Sequence, residues 1–253
     1  MRWRQAPRGV GSDPEPAFSF RPPPDFRSGP VGGFSQGSGA AILALPSPFP
    51  LAGPWRLAVK RGMDIVFALV LLVVTAPVIL AAAILVRMSG PGPILFVQRR
   101  NGRLGKEFRM LKFRTMTPGA ERLQDQLAEE NAGGCFLKLQ NDPRVTPIGR
   151  ILRKYSIDEL PQLVNVLRGD MSLIGPRPLL PCDVRSFPRD ERFRRFNVRP
   201  GITGLWQVSG RSELSDDERM ALDLEYVDEW SLQLDFEILA RTPLAVVMAR
   251  GAC

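Results

Sequence analysis

The sequence contains no histidine, and it has only two tyrosines and three cysteines in 253 residues. Without histidine, the chain cannot form a Ser-His-Asp or Cys-His catalytic arrangement. The cysteines, at 135, 182 and 253, form no Cys-x-x-Cys pair, so a structural zinc site is disfavoured. Their odd number, without a signal peptide, predicts a reducing, cytoplasmic setting. Acid–base or nucleophilic chemistry must therefore use carboxylates, lysines, tyrosines or these thiols.

Basic residues outnumber acidic ones, and the formal net charge is +8. A positive balance of this size fits three kinds of partner: nucleic acid, an anionic membrane surface or a phosphorylated substrate. Charge alone does not choose among them.

The first segment of the chain, residues 1–54, is rich in proline, glycine and serine and shows no apolar periodicity. Such a composition cannot bury enough apolar surface to form a core. We therefore predict a disordered arm.

A long apolar run follows, and no residue from Ile65 to Val86 is charged. About 20 such residues suffice to cross a bilayer, although a core helix of a soluble protein is the alternative. Lys60 and Arg61 precede the run and Arg87 follows it. Because basic residues favour the cytoplasmic side, both ends are expected on that face. Pro77, near the middle, would kink the helix, so the pattern predicts a re-entrant hairpin within the membrane.

The remainder predicts a small β-hairpin and several helices. The strands are expected at Ile94–Gln98 and Phe108–Met116, with a turn signal at Asn101-Gly102. Basic residues of this region either form a solvated surface near acidic headgroups or hold phosphate oxygens; they are Arg99, Arg100, Arg103, Lys106, Arg109, Lys112 and Arg114. Helices are predicted at 117–131, 148–155, 216–230 and 235–248. In the second of these, an apolar face is expected from the helical spacing of Ile148, Ile151, Leu152 and Tyr155. An interfacial amphipathic helix is expected within 179–199, and a turn plus an extended piece at 200–208.

Asp158 and Glu159 form the most prominent carboxylate pair, between a basic segment and an apolar one. Ser156 and Glu159 fit a capping box, and Asp158 is an alternative N-cap, so a helix start near Asp158 is expected. The positive end of a helix dipole would keep Asp158 ionised, as a nucleophile or metal ligand requires. Pure capping is the alternative role. Arg177, between two prolines, is expected to bind phosphate from a rigid loop or to mark a simple turn.

Several longer motifs occur together, in the order Lys60-Arg-Gly-Met-Asp64, Lys112-Phe-Arg-Thr-Met116, Leu152-Arg-Lys-Tyr-Ser-Ile-Asp-Glu-Leu-Pro-Gln162, Gly169-Asp-Met-Ser-Leu-Ile-Gly-Pro-Arg-Pro178 and Pro200-Gly-Ile-Thr-Gly-Leu-Trp-Gln-Val-Ser-Gly-Arg211. In these motifs the chain resembles the monotopic bacterial sugar transferases, the polyprenyl-phosphate phosphoglycosyl transferases. One departure is Ala76, since many relatives have serine before the kinking proline.

The resemblance implies transfer of a sugar 1-phosphate from a UDP-sugar, UDP-galactose or UDP-glucose, to undecaprenyl phosphate. Asp158 would carry a covalent phosphosugar intermediate and UMP would leave, which initiates exopolysaccharide synthesis. The resemblance implies that Glu159 binds Mg²⁺ or assists the acceptor, with Asp158 as a second metal ligand. It also implies phosphate-binding roles for Lys112, Arg153 and Arg177, and a looser match places Asp223 among the site carboxylates.

The expected fold is α+β and mostly helical, in a monotopic membrane protein with a kinked re-entrant helix, interfacial amphipathic helices and a small β-hairpin. The expected divisions are an arm (1–54), a membrane helix (55–90) and a cytoplasmic transferase domain (91–253). The protein is expected at the cytoplasmic face of the bacterial inner membrane, in contact with its lipid and with downstream glycosyltransferases, and a homodimer is left open. Two alternatives are a non-catalytic membrane scaffold of glycan assembly and a nucleic-acid binder; the apolar run speaks against nucleic acid.

Overall fold

The computed structural model describes residues 54–120, 142–181, 184, 189–211 and 214–247. Most of the predicted arm (1–54) and of the predicted helix at 117–131 lies outside these ranges. Within them the fold is mostly helical with two small sheets; the sequence predicted the predominance of helices and one of the two sheets.

The first half of this part contains the long helix and the hairpin. Helix α1 runs over Pro54–Met88. Strands β1 (Leu95–Asn101) and β2 (Glu107–Phe113) pair antiparallel, with Leu95 opposite Phe113 and Asn101 opposite Glu107. A 3-10 turn at Arg103–Gly105 joins them at the predicted turn. The predicted β-hairpin is therefore confirmed.

The second half surrounds a two-stranded parallel sheet that was not predicted. Its strands are β3 (Ser172–Ile174) and β4 (Gly201–Thr203). The helices, in chain order, are α2 (Pro147–Lys154), α3 (Gln162–Arg168), α4 (Arg189–Phe196), α5 (Leu205–Ser209), α6 (Asp216–Asp228) and α7 (Leu232–Val247). Helices α2, α6 and α7 confirm predicted helices within a few residues.

Helix α1 is long and apolar enough to cross a membrane, by length and composition, and most of its apolar side chains are exposed. Val73, in its middle, is 75% exposed. The helix is one continuous element through Pro77. A bend back towards the same face of a membrane stays a prediction.

Both ends of α1 are attached to the same globular part. Near its start, Arg61 donates hydrogen bonds to the carbonyls of Val166 and Leu167, at 2.7 and 2.9 Å, and so binds the last turn of α3. At its other end, buried Arg114 donates to the carbonyls of Val86 and Gly90, at 3.0 and 2.9 Å.

The residues next to Arg61 strengthen the first attachment. The carboxylate of Asp64 is buried and accepts hydrogen bonds from the Ser172 hydroxyl and the Leu173 amide, at 2.9 and 3.0 Å. Lys60 forms a 2.7 Å ion pair with buried Asp235, which also accepts from Tyr226 at 2.7 Å. These polar contacts join the start of α1 to β3, α6 and α7.

A small apolar core joins the second half of α1 to the hairpin and α2. Its buried members are Ala82, Val86, Phe113 and Leu152, and Ile157 packs against them. Burying such side chains stabilises a fold by about 1.5–3 kcal/mol each. The core therefore places the residues around Ile157 beside α1.

Two details of the predicted secondary structure were wrong. The extended piece expected up to Val208 ends at Thr203, and α5 follows directly. The side-chain Nε2 of Gln207 donates a hydrogen bond to the Ile202 carbonyl at 3.0 Å. Helix α5 makes this contact because it folds back onto β4. The apolar face expected on α2 is also split, since Leu152 is buried whereas Ile151 is exposed.

Candidate active site

The carboxylate pair lies on a short 3-10 turn, Ile157–Glu159, between α2 and α3. The predicted capping is wrong, because the Ser156 side chain forms no capping hydrogen bond and its backbone is left-handed, with φ of 55°. Helix α3 begins only at Gln162, after Pro161. Proline is favoured at a helix start and excluded from its interior, which explains the later start.

The side chain of Asp158 is 7% exposed and accepts no hydrogen bond from any residue that the structure describes. Burial, and then the neighbouring charge of Glu159, raise its pKa from 3.8 to about 6, against the lowering effect of nearby cations, Lys112 first. The sequence predicted the opposite direction, from a helix dipole that this turn does not provide. With a pKa of about 6, Asp158 is mainly ionised at neutral pH.

Glu159 is ionised for a different reason. Its Oε1 accepts hydrogen bonds from Lys112 at 2.9 Å and from Arg177 at 3.5 Å. Burial alone would raise the pKa of Glu159, but these two cations outweigh it and lower the pKa to about 2. The two adjacent carboxylates therefore differ, one poorly paired and one paired with two cations.

Arg153 lies on the other side of the turn. Its Nε donates to the Thr115 hydroxyl at 3.0 Å, and burial lowers its pKa although the charge of Asp158 acts against that change. Arginine stays charged even when its pKa is lowered. The charges of Lys112, Arg153 and Arg177 all act on Asp158, so the structure places these three cations close to it.

Arg177 is held by its backbone and by an aromatic ring. Its guanidinium lies over the Trp206 ring, 5.9 Å from the centroid. Its carbonyl oxygen accepts a 2.5 Å hydrogen bond from Arg195. Gly175 starts this loop, and a Cβ there would lie 2.5 Å from the Arg199 carbonyl oxygen, so only glycine fits.

Asp223 lies away from the carboxylate pair. It is 2% exposed and forms a 2.5 Å ion pair with Arg195, the residue that donates to the Arg177 carbonyl. Burial raises the pKa of Asp223 to about 6, although Arg195 lowers it. Asp223 therefore acts on the loop of Arg177 through Arg195, which it pairs with.

Sequence reasoning missed Asn165, a fully buried residue of α3. Its Oδ1 accepts from the Leu111 amide at 3.0 Å and its Nδ2 donates to the Arg109 carbonyl at 2.8 Å. These bonds attach α3 to β2 next to Lys112. The available signal was a lone polar residue within the apolar run Leu163–Leu167.

Sequence reasoning also missed the side-chain contacts of Arg195 and Arg211. Arg211 donates to the Ser156 hydroxyl at 3.1 Å. Arg195 is one of several arginines in its segment, and Arg211 ends one of the quoted motifs. Neither position indicated which side chain or carbonyl the arginine would contact.

No group of three or more potential metal ligands occurs in the part of the chain described above. Mg²⁺ needs fewer, because it commonly uses one or two carboxylates and completes its shell with phosphate oxygens and water. The Asp158 carboxylate and the Oε2 of Glu159 accept no hydrogen bond from the described residues. This pair of oxygen donors fits Mg²⁺.

Comparison with known proteins agrees with this arrangement. The family described as bacterial sugar transferase matches residues 55–249. The exopolysaccharide production protein ExoY of Sinorhizobium fredii is 41% identical over 198 residues, which cover 76% of this chain and 87% of ExoY. The undecaprenyl-phosphate galactose phosphotransferase of Salmonella typhimurium is 40% identical over 198 residues, covering 76% of this chain.

A third relative is the UDP-N-acetylgalactosamine-undecaprenyl-phosphate N-acetylgalactosaminephosphotransferase of Aeromonas hydrophila, 40% identical over 207 residues and 80% of this chain. The matched segments span only 41% and 47% of the Salmonella and Aeromonas proteins. The family match over residues 55–249 includes the whole described site. The chain belongs to the bacterial sugar transferase family and is a transferase enzyme.

Proposed function

We propose that this protein transfers a sugar 1-phosphate from a UDP-sugar to undecaprenyl phosphate and so starts the assembly of an exopolysaccharide or another surface glycan. The observation that carries the proposal is a buried, poorly paired carboxylate, Asp158, beside the cations Lys112, Arg153 and Arg177. Such a site combines a nucleophile with groups that bind phosphate oxygens.

Asp158 suits the nucleophilic role because it is ionised at neutral pH yet scarcely solvated. A carboxylate that accepts few hydrogen bonds keeps its lone pairs available for attack. The negative charge of Glu159, in contrast, is balanced by ion pairs with Lys112 and Arg177. Its first role is therefore to hold those two cations beside Asp158.

In the first step an Asp158 oxygen attacks the β-phosphorus of the UDP-sugar and forms an acyl phosphate bond. The bond from that phosphorus to the oxygen bridging the two phosphates breaks, and UMP leaves with the electron pair. Lys112, Arg153 and Arg177 would stabilise the negative charge on the phosphoryl oxygens during this displacement.

In the second step a phosphate oxygen of undecaprenyl phosphate attacks the same phosphorus. The aspartyl oxygen leaves, which regenerates Asp158 and yields a lipid diphosphate sugar. Asp158 and Glu159 would hold Mg²⁺, which neutralises diphosphate charge when it is bound.

The attachment of α1 supports a re-entrant helix and a domain on the cytoplasmic face. A straight helix between Arg61 and Val86 would extend roughly 37 Å, more than the hydrocarbon of a bilayer. Arg61 nevertheless binds α3, and Val86 contacts Arg114 of the same globular part. One soluble domain cannot bind both ends of a membrane-spanning helix from opposite sides of a bilayer.

Cysteine accessibility tests this topology in a variant from which the native cysteines are removed. Trp55→Cys and Pro93→Cys should both react with a membrane-impermeant maleimide added to inside-out vesicles, and neither should react in right-side-out vesicles. Val73→Cys, the matched control at the exposed middle of α1, should be shielded by lipid in both. Labelling of positions 55 and 93 from opposite sides would refute the hairpin.

The catalytic proposal is tested in two parts. UMP release should be measured over a panel of UDP-sugars, including glucose, galactose and their N-acetylated forms, with undecaprenyl phosphate and Mg²⁺. Without acceptor, intact-mass spectrometry should detect a sugar-phosphoryl adduct on the wild type and none on Asp158→Asn. UMP release by Asp158→Asn at the wild-type rate would exclude the covalent aspartate.

Two of the relatives named above are a galactose phosphotransferase and an N-acetylgalactosaminephosphotransferase, and we favour UDP-galactose or UDP-glucose as donor. The UDP-sugar that gives the highest kcat/KM in the panel identifies the natural donor class. A preference for an N-acetylated sugar would contradict this choice but not the reaction.

A further inference from the structure

The backbone just before the carboxylate pair adopts an unusual conformation. Non-glycine residues with positive φ in the described part of the chain are Leu104, Ser156 and Arg211. The left-handed region is disfavoured for residues with a Cβ. Two of these residues are joined directly, since the Arg211 Nη2 donates to the Ser156 hydroxyl at 3.1 Å.

The conformation of Ser156 determines how the chain passes from α2 into the carboxylate turn. Its amide donates to the Arg153 carbonyl at 3.1 Å, at the end of α2. Its carbonyl accepts from the Glu159 amide at 3.2 Å, at the end of the turn. If Ser156 returned to an ordinary right-handed or extended conformation, the direction of the turn and hence of Asp158 would change.

Arg211 is itself fixed at several points. Its Nη1 donates to the Ala245 carbonyl at 3.0 Å, in the last turn of α7. Its own carbonyl accepts from Arg219 at 3.3 Å. The guanidinium therefore connects Ser156, which follows α2, to the end of α7.

We propose that Arg211 is a positioning residue that holds Ser156 in the left-handed conformation and thereby aims Asp158 at the donor phosphate. The catalytic part of this inference rests on the proposed function of Asp158. The hydrogen bond between Arg211 and Ser156, and its effect on the turn, do not depend on that function. In this proposal Arg211 acts through Ser156 and not by touching the substrate; its charge also lowers the pKa of Glu159, but less than Lys112 and Arg177 do.

Ser156→Gly provides the test, because glycine adopts positive φ without penalty. In the protein with the native Ser156, Arg211→Ala should slow adduct formation from the UDP-sugar about 10-fold. The loss should be mainly in the maximal rate constant of adduct formation and not in the UDP-sugar concentration that gives half of it. Ser156→Gly alone should remain within about twofold of the wild type. In the Ser156→Gly background, Arg211→Ala should cost no more than about twofold.

This rescue separates positioning from direct binding. If Arg211 contacts the donor, Arg211→Ala will cost the same factor with serine or glycine at 156, and the proposal is overturned. Arg241→Ala is the control for removal of an arginine near α7. Arg241 pairs with exposed Glu237, and its loss should leave the rate unchanged.

A second measurement does not depend on activity. Hydrogen–deuterium exchange of the peptide covering residues 157–163 reports on the amides of Glu159 and Leu160, which close the turn. Exchange there should be about 10-fold faster in Arg211→Ala and return towards the wild-type rate in the double variant. Unchanged exchange in Arg211→Ala would overturn the proposal even if the rates agreed. If no UDP-sugar reacts, the proposed function fails while this exchange result still decides the role of Arg211.

Discussion

Replacing Glu159 by glutamine should move the pH dependence of the first chemical step towards lower pH. Burial and then the charge of Glu159 raise the pKa of Asp158 to about 6, whereas Lys112, Arg153 and Arg177 lower it. Glu159→Gln keeps the shape of the side chain but removes its charge. Lys112 and Arg177 then lose their partner carboxylate and act more strongly on Asp158.

Burial persists in Glu159→Gln, so the pKa of Asp158 should not return to its ordinary value. We expect it to fall by about one pH unit, which corresponds to roughly 1.4 kcal/mol of interaction between the two carboxylates. Because Asp158 must be ionised to attack, the rate is lost as pH falls through its pKa. The acidic limb of the second-order rate constant for adduct formation should therefore lie near pH 6 in the wild type and about one unit lower in the variant.

The assay must follow adduct formation without acceptor, because a phosphate monoester has a second pKa of about 6 and would add its own limb. Glu237→Gln is the control; Glu237 lies on α7 and pairs with Arg241 on the exposed surface, so the limb should stay near pH 6. A limb that stays in place or moves to higher pH in Glu159→Gln would refute the electrostatic reasoning. A lower maximal rate of Glu159→Gln would not refute this reasoning, because Glu159 also holds Lys112 and Arg177 in place.

Two further predictions concern stability, measured by thermal unfolding in detergent micelles. Asn165→Ala should lower the free energy of unfolding by about 3 kcal/mol, because Asn165 is fully buried and its loss removes the hydrogen bonds to the Leu111 amide and the Arg109 carbonyl; an effect no larger than that of Asn197→Ala would contradict this. Lys60→Met should cost about 3 kcal/mol at neutral pH by leaving Asp235 buried without its cation. Burial already raises the pKa of Asp235. The deficit of Lys60→Met should shrink as pH falls and Asp235 is protonated, whereas exposed Arg56→Met should show no such pH dependence.

The sequence predicted the elements that have a strong local signal. An uninterrupted apolar run and an Asn-Gly turn need little tertiary context. The helices predicted at 148–155, 216–230 and 235–248 also formed within a few residues of their expected bounds.

The errors occurred where tertiary contacts determine the backbone. Ser156 has the sequence signature of a cap, yet its hydroxyl accepts from Arg211, distant in sequence. In its left-handed conformation Ser156 forms no capping hydrogen bond, and the helix begins only at Gln162, after Pro161. The pKa of Asp158 was predicted in the wrong direction for the same reason, since burial by distant segments outweighs the local effect of a helix end. The parallel β3–β4 pair was missed because three-residue strands leave no readable period.

Strand β2 also constrains how this sequence can diverge. Within four consecutive residues, the Leu111 amide binds Asn165, Lys112 binds Glu159, Phe113 enters the apolar core and Arg114 binds the end of α1. Successive side chains of a strand point to opposite faces. Inserting or deleting one residue here would exchange every one of these partners at once. We therefore expect natural length variation among relatives to avoid residues 111–114 and to accumulate elsewhere.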